Sequence, residues 1–349
     1  MTAKHEERHH SMTPWPAHGG QLSTLARHFP QAPTPLIDLS TGINPFAYPF
    51  TPPGADALSR LPDPAEEEAL RFAASQAYGV SPDHVLAGPG TQMLIGLLPI
   101  LLSRQQRVEG VRILTPTYSG HETAWAAAGV PITFIPHGAS LPMPGRNIVT
   151  IICAPNNPTG HVLSAGEIAS LAESHGHADG VLVIDEAFAD FQPVSAASLL
   201  PHRALIVCRS FGKTYGLAGV RLGFLLGTHP VLHAMREVMG PWAVNTAGCQ
   251  IGREALLDTA WRDSMSLRLA HQTQILRHIL HDAGLSFVGG TLLFSLWRTA
   301  HAQEIWERLA QAGILVRRFA WDETLLRFGL PADEGALTRL TKALTSPAS

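Results

Sequence analysis

Lysine is nearly absent. Of the 25 basic residues in this 349-residue chain, three are lysines: Lys4, Lys213 and Lys342. Cysteine is as sparse, with Cys153, Cys208 and Cys249, two of them in apolar strand-like runs. So odd a set excludes a disulfide framework and reads as buried free thiols in a reducing compartment. Surplus positive charge is missing too. The formal net charge is −3, which leaves no basic field to draw the chain to nucleic acid or a membrane surface. The longest apolar run, 94–102, is too short to cross a bilayer and contains Pro99. The opening residues are polar, with no apolar region of the signal-peptide kind, so the cytoplasm is the expected compartment. Apolar residues make up 45% of the chain and charged residues 15%, which suits a globular protein with a large core and one or two domains.

Because Lys4 and Lys342 lie near the ends, Lys213 is the one lysine in the body of the chain. Arginine carries positive charge everywhere else. An arginine does not give up its proton in a protein, whereas a lysine amine can become neutral and nucleophilic. Lys213 lies between an apolar strand-like run, 204–208, and a glycine-rich turn. That position points to covalent amine chemistry, most simply a Schiff base; an ordinary lysine in a surface loop is the plainer reading. Ser210 precedes it by three residues and Arg221 follows by eight, with Gly212, Gly216 and Gly219 between. A hydroxyl, a guanidinium and small residues that admit the backbone make a phosphate cradle.

Along the chain, residues 1–16 read as a disordered tail, whose His5, His9 and His10 belong to a solvated segment more readily than to a metal site. A short amphipathic helix and a strand ending in a turn at Asn44-Pro45 form an arm over 17–50, and 45–53 is a proline-rich linker. Helical spacing with acidic residues at its start predicts a helix over 64–78. Short apolar strands at 111–115, 132–135, 148–154, 181–184, 204–208 and 222–226 alternate with helix-length segments. That alternation predicts an α/β fold with a mostly parallel sheet and helices on both faces, binding its ligand beyond the carboxyl ends of the strands. The large domain is expected over 51–255. After a helical stretch at 252–283, the remainder gives a smaller α+β domain, 256–349.

Several residues at strand ends carry chemistry. Asp185 closes an apolar strand, so its carboxylate must be exposed or paired; capping the next helix is the plain alternative. Pro155-Asn156-Asn157-Pro158-Thr159-Gly160 follows another strand and is by itself a turn. Gly88-Pro89-Gly90-Thr91-Gln92 opens a helical run, where backbone N–H groups and a hydroxyl make an anion site. Tyr118 follows a strand and suits either a core position or a stacking platform. Arg327, in Leu325-Leu326-Arg327-Phe328-Gly329, has the forked guanidinium that suits a carboxylate, and Arg317 is a second anion candidate. His18, before Gly19 and Gly20, reads alone as a surface or capping residue.

The string Ser210-Phe211-Gly212-Lys213, with its Gly216-Leu217-Ala218-Gly219-Val220-Arg221 tail, resembles the signature of the fold-type I pyridoxal-phosphate enzymes, the aspartate-aminotransferase superfamily. The resemblance implies pyridoxal 5′-phosphate on Lys213, with Asp185 at its pyridine nitrogen making the ring an electron sink. It implies Asn157 at the phenolic oxygen, Tyr118 stacked on the ring, and Gly90, Thr91, Gln92, Ser210 and Arg221 around the phosphate. Arg327 is implied at the substrate carboxylate, with Asn157, Arg317 and His18 beside the substrate. The arm's His18-Gly19-Gly20 and Asp38-Leu39-Ser40-Thr41-Gly42-Ile43-Asn44-Pro45, with Gly240-Pro241-Trp242-Ala243-Val244, resemble one branch. That branch is the threonine-phosphate decarboxylases of cobalamin biosynthesis, relatives of histidinol-phosphate aminotransferase. The implied reaction is decarboxylation of L-threonine O-3-phosphate by a homodimer with its sites at the interface; a histidinol-phosphate-type aminotransferase is the alternative. Two departures stand out: Phe188 and Leu61 occupy places where relatives often carry tyrosine, one a donor to the cofactor's phenolic oxygen and the other reaching the partner subunit's phosphate.

Overall fold

The computed structural model describes residues 18–138 and 144–345; the 1–16 segment and its three histidines lie outside them. The first strand, β1 (Ile37–Asp38), is followed by β2 (Val85–Gly88), β3 (Gly110–Thr115), β4 (Ile132–Pro136), β5 (Ile148–Cys153), β6 (Val181–Asp185), β7 (Leu205–Ser210) and β8 (Gly223–Gly227). Strands β2 to β8 make one seven-stranded sheet in the order β2-β8-β7-β6-β5-β3-β4. All neighbours are parallel except at β8, which runs antiparallel to both β2 and β7. The sequence pattern has no sign of this reversal, because an apolar run reads the same in either direction. It matters for the site. Arg221 precedes β8 instead of following it, yet Gly223 pairs with both Ser210 and Gly88, so Arg221 reaches the same sheet edge as Lys213.

Both faces of the sheet are covered, as a mainly parallel sheet requires. Leu94, Leu98, Trp125, Val231 and Met235 pack on the face that carries Ile151, Val183 and Ile206. Leu70, Ala73, Ile168, Leu171, Ile251 and Ala255 pack on the face of Ile152, Ile184 and Val207. Helix Pro64–Tyr78 begins where expected. Asp63 accepts from the Ala65 N–H, Pro64 opens the first turn, and Gly79 closes the helix in the left-handed conformation. Ser164 and Glu167 cap helix Ala165–His177 reciprocally. The helical stretch expected over 252–283 is two helices, Thr246–Leu257 and Thr259–Asp282, separated at Asp258, whose carboxylate caps the Trp261 N–H at 2.9 Å.

The last third builds β9 (Ser286–Gly290), β10 (Phe294–Arg298), β11 (Ile314–Leu315), β12 (Arg317–Arg318) and β13 (Leu325–Gly329). Strands β12-β13-β10-β9 form an antiparallel sheet over a core of Trp297, Trp306, Leu309, Phe328 and Leu340. The arm docks on this part, since β1 pairs in parallel with β11. It then turns back without helix or strand. The Asn44 N–H donates to the Lys213 carbonyl at 2.9 Å and the Tyr48 N–H to the Tyr215 carbonyl at 2.8 Å. The linker segment is therefore pinned to the backbone around Lys213.

Candidate active site

Lys213 sits in the single helical turn Phe211–Thr214 that follows β7. Its Nζ donates to Ser210 Oγ at 3.3 Å and lies 5.1 Å from the centre of the Phe188 ring. The side chain opens onto a cavity of about 1600 Å³ along the sheet edge. Burial pushes the amine below its ordinary pKa. Asp185 and Cys153 oppose that shift, while the charges of Arg327 and Arg221 add to it. A lysine biased toward its neutral form is a stronger nucleophile than a solvated one.

Asp185, at the end of β6, is buried at the floor of the same cavity. His121 Nε2 is 2.9 Å from its Oδ2, and the Ala187 N–H donates to its Oδ1 at 3.0 Å. Burial alone would raise this carboxylate's pKa. The His121 hydrogen bond and charge, with the Lys213 charge and the Ala187 N–H, outweigh that and hold it low. His121 is buried too, which disfavours its charge, but its hydrogen bonds to Asp185 and Cys153 prevail and raise it to about 10. The sequence reading missed His121. No local motif links a residue in helix Ser119–Ala127 to a carboxylate 64 residues later.

On the same cavity, Gly90 caps helix Thr91–Gln105 with φ at +85°, and the helix's first turn holds no acidic residue. A Cβ at Gly90 would fall 2.6 Å from Arg221 Nη2, and one at Gly223 would fall 2.4 Å from the Thr91 nitrogen. The two glycines thus let the guanidinium and the helix's free N–H groups close on one another, an arrangement suited to an anion. Arg221 itself adopts the left-handed conformation, φ +58°, which an L-residue takes at a cost of about 1–2 kcal/mol. Gln92 accepts a hydrogen bond from the Tyr118 hydroxyl, and the Tyr118 ring lies 6.4 Å from His18 and 6.2 Å, edge-on, from His121.

Arg327 on β13 stands across from Arg317 on β12. It is 6% exposed. It donates to Asn157 Oδ1 and, at 2.6 Å, to the Ser40 carbonyl, with its guanidinium 5.1 Å from the Phe294 ring centre. Its Nε has no hydrogen-bond partner, and among the described residues no carboxylate ion-pairs with it. Burial first, then the Arg317 charge, depresses its pKa, with Asp38 opposing weakly. Arg317's own guanidinium lies 5.8 Å from the Phe319 ring centre. Asn156 is buried and spends its side chain on Thr117, Pro116 and Thr159. Its neighbour Asn157 is the asparagine that lines the cavity.

All twelve residues singled out from the sequence line this one cavity: His18, Gly90, Thr91, Gln92, Tyr118, Asn157, Asp185, Ser210, Lys213, Arg221, Arg317 and Arg327. Phe188 lines it too, buried and edge-on to Phe294 at 4.9 Å. Leu61 does not line it; it is 66% exposed, between helices Ala55–Leu58 and Pro64–Tyr78.

The family model for aminotransferase class I and II matches residues 55–344. A threonine-phosphate decarboxylase from Pseudomonas aeruginosa is 37% identical over 94% of this chain and 96% of its own length. One from Sinorhizobium sp is 37% identical over 94% of this chain and 97% of its own. Among solved structures, the histidinol-phosphate aminotransferase of Sinorhizobium meliloti in complex with pyridoxal-5′-phosphate has a TM-score of 0.78 at 21% identity. It covers 95% of this chain and 94% of that one.

Proposed function

This chain belongs to the aminotransferase class I and II family, and from that premise we propose that it is a pyridoxal-phosphate enzyme decarboxylating L-threonine O-3-phosphate. The products are CO₂ and (R)-1-aminopropan-2-yl phosphate, a building block of cobalamin. The single observation that carries the substrate assignment is the pair Arg317 and Arg327, cross-strand neighbours that line one cavity with Lys213. Two guanidiniums suit a small substrate bearing both a carboxylate and a phosphate.

The residues present fit the cofactor. The cradle closed by Gly90, Thr91, Ser210 and Arg221 would hold its phosphate, and an added Cβ at Gly90 or Gly223 would fill that space. Gln92 lies beside the cradle. Among the described residues lining the cavity, Lys213 is the one lysine; Asp185 offers a buried carboxylate for the ring nitrogen, Asn157 a donor for the phenolic oxygen, and Tyr118 a face for the ring. When bound, the cofactor supplies an electron-poor ring that accepts the electron pair left as CO₂ departs.

The chain's own residues do the rest. Arg327, with Asn157 beside it, takes the substrate carboxylate; Arg317 takes the phosphate; His18 closes the near side next to Tyr118. Anchoring both anions would fix how the substrate's α-carbon is presented, so remote binding energy would select the bond that breaks. Lys213, its amine unburdened by solvation, moves a proton to the α-carbon. Asp185 keeps its charge because His121 and the Ala187 N–H hold it.

The same reading takes 51–255 as the large cofactor-binding domain and 256–349, joined by the 17–50 arm, as the small one, supported by separate hydrophobic cores. It places the enzyme in the cytoplasm, supported by three buried free cysteines, and makes it a homodimer. No helix among the described residues is long and apolar enough to cross a membrane. The test of the substrate assignment is a comparison of threonine phosphate with threonine. The phosphorylated substrate should be turned over at least about a hundredfold more efficiently, the worth of one charge-assisted anion contact of about 3 kcal/mol. Equal kcat/KM for the two would remove the basis of the reading.

A further inference from the structure

Beneath the cavity, three adjacent strands align a row of polar groups. Cys153 on β5 is in register with Asp185 on β6, and Asp185 with Cys208 on β7. His121 comes down onto this row from helix Ser119–Ala127. One donor atom from each of His121, Cys153 and Asp185 lies within 4.8 Å of the other two. The three side chains are 1%, 4% and 4% exposed. Cys153 and Asp185 line the cavity, which gives a route for an ion to enter.

Imidazole, thiolate and carboxylate make the donor set of zinc, and three protein ligands leave a fourth position for water from the cavity. The charges balance. A divalent cation with one thiolate, one carboxylate and a neutral imidazole sums to zero, so a buried ion there is compensated at short range. Harder cations that prefer oxygen ligands have one protein oxygen donor in this set and fit it poorly. We propose that, in the cofactor-free chain, His121, Cys153 and Asp185 form a binding site for a thiophilic divalent cation, with Zn²⁺ the best fit. Binding forms a metal–sulfur, a metal–nitrogen and a metal–oxygen bond, releases two protons to solvent, one from the Cys153 thiol and one from the His121 imidazolium, and changes no oxidation state.

The consequence for loading rests on the reading of Asp185 given above. An ion coordinated by Asp185 takes the carboxylate that the cofactor's ring nitrogen needs. Metal and pyridoxal phosphate then compete, and the metal-bound chain is held inactive until the ion leaves.

The experiment uses the full chain stripped of cofactor in phosphate-free buffer and titrated with Co²⁺ as a coloured substitute for Zn²⁺. The expected result is one equivalent bound with a near-ultraviolet thiolate-to-cobalt band that Zn²⁺ bleaches. Cys153→Ser should lose the band and weaken binding by at least about tenfold, since even a residue outside the ligand shell commonly costs that much. Cys208→Ser should keep the band. His121→Asn, checked for native circular dichroism, should weaken Co²⁺ while leaving the thiol free. A band absent from the wild type, or one that follows Cys208, would overturn the site, and uptake of pyridoxal phosphate by the same preparation would show the cofactor reading still standing. A Cys153-dependent band with cofactor affinity unchanged by metal would overturn the competition, and with it the placing of Asp185 at the ring nitrogen.

Discussion

His121 Nε2 lies 2.9 Å from Asp185 Oδ2, with both side chains buried. A helix thus lends a proton to the carboxylate at the end of a strand, and each group shifts the other's titration. Asp185 is held below its ordinary value of 3.8, so its contribution to stability is present above that pH and is lost as the pH falls through its folded value. His121 is raised from 6.5 to about 10, so its contribution is full below pH 6.5 and is lost as the pH rises toward 10. The cofactor-free protein, kept in chelator, should therefore lose melting temperature across that alkaline interval. His121→Asn should flatten the decline and start from a lower melting temperature at pH 6. A mutant profile that falls as steeply as wild type would remove the ion pair from the account.

Phe188 touches both the amine and the second sheet, since its ring is 5.1 Å from Lys213 Nζ and 4.9 Å from the Phe294 ring. It offers no donor to the cofactor's phenolic oxygen. Phe188→Tyr would add one, and a hydrogen bond to a charged group contributes about 1.5–3 kcal/mol. The visible absorbance of the bound cofactor should then titrate lower, by about one to two pH units at 1.36 kcal/mol each. A spectral titration of the two proteins with no downward movement would count against the placing of Phe188.

Much of this site was legible in the sequence because its members sit at strand ends with distinctive neighbours. Lys213 stood out as the one lysine in the body of the chain, and Asn157, Asp185 and Arg221 each had a motif around them. Other features left no trace. The reversal of β8 is invisible in an apolar run, yet it alone brings Arg221 to the edge where Lys213 and Gly90 lie. His121 carries no motif, because its partner comes from a different element and the contact exists only after helix Ser119–Ala127 docks on the sheet. The break between the two long helices was hidden at Asp258, since aspartate is compatible with a helix in composition and separates these two by capping the second. The proline-rich stretch 45–53 read as a linker, and no motif in it signals that the Tyr48 N–H donates to the Tyr215 carbonyl beside Lys213.

Association is expected from the surface that the arm and the helix Pro64–Tyr78 leave uncovered. Leu58, Leu61 and Phe72 are 62%, 66% and 54% exposed, and large apolar side chains left this exposed are candidates for burial against a partner. Sedimentation should give a homodimer, and Leu61→Asp should weaken it. An active monomer at working concentration would contradict the expectation.

The most direct measurement follows CO₂ and glutamate in two mixtures. One holds the enzyme, pyridoxal phosphate and threonine phosphate; the other replaces the substrate with histidinol phosphate and 2-oxoglutarate. The account predicts stoichiometric CO₂ and phosphorylated amine from the first with no 2-oxo acid present, no glutamate from the second, and loss of CO₂ release in Lys213→Ala and Arg327→Ala. Glutamate from the second mixture with no CO₂ from the first would contradict it.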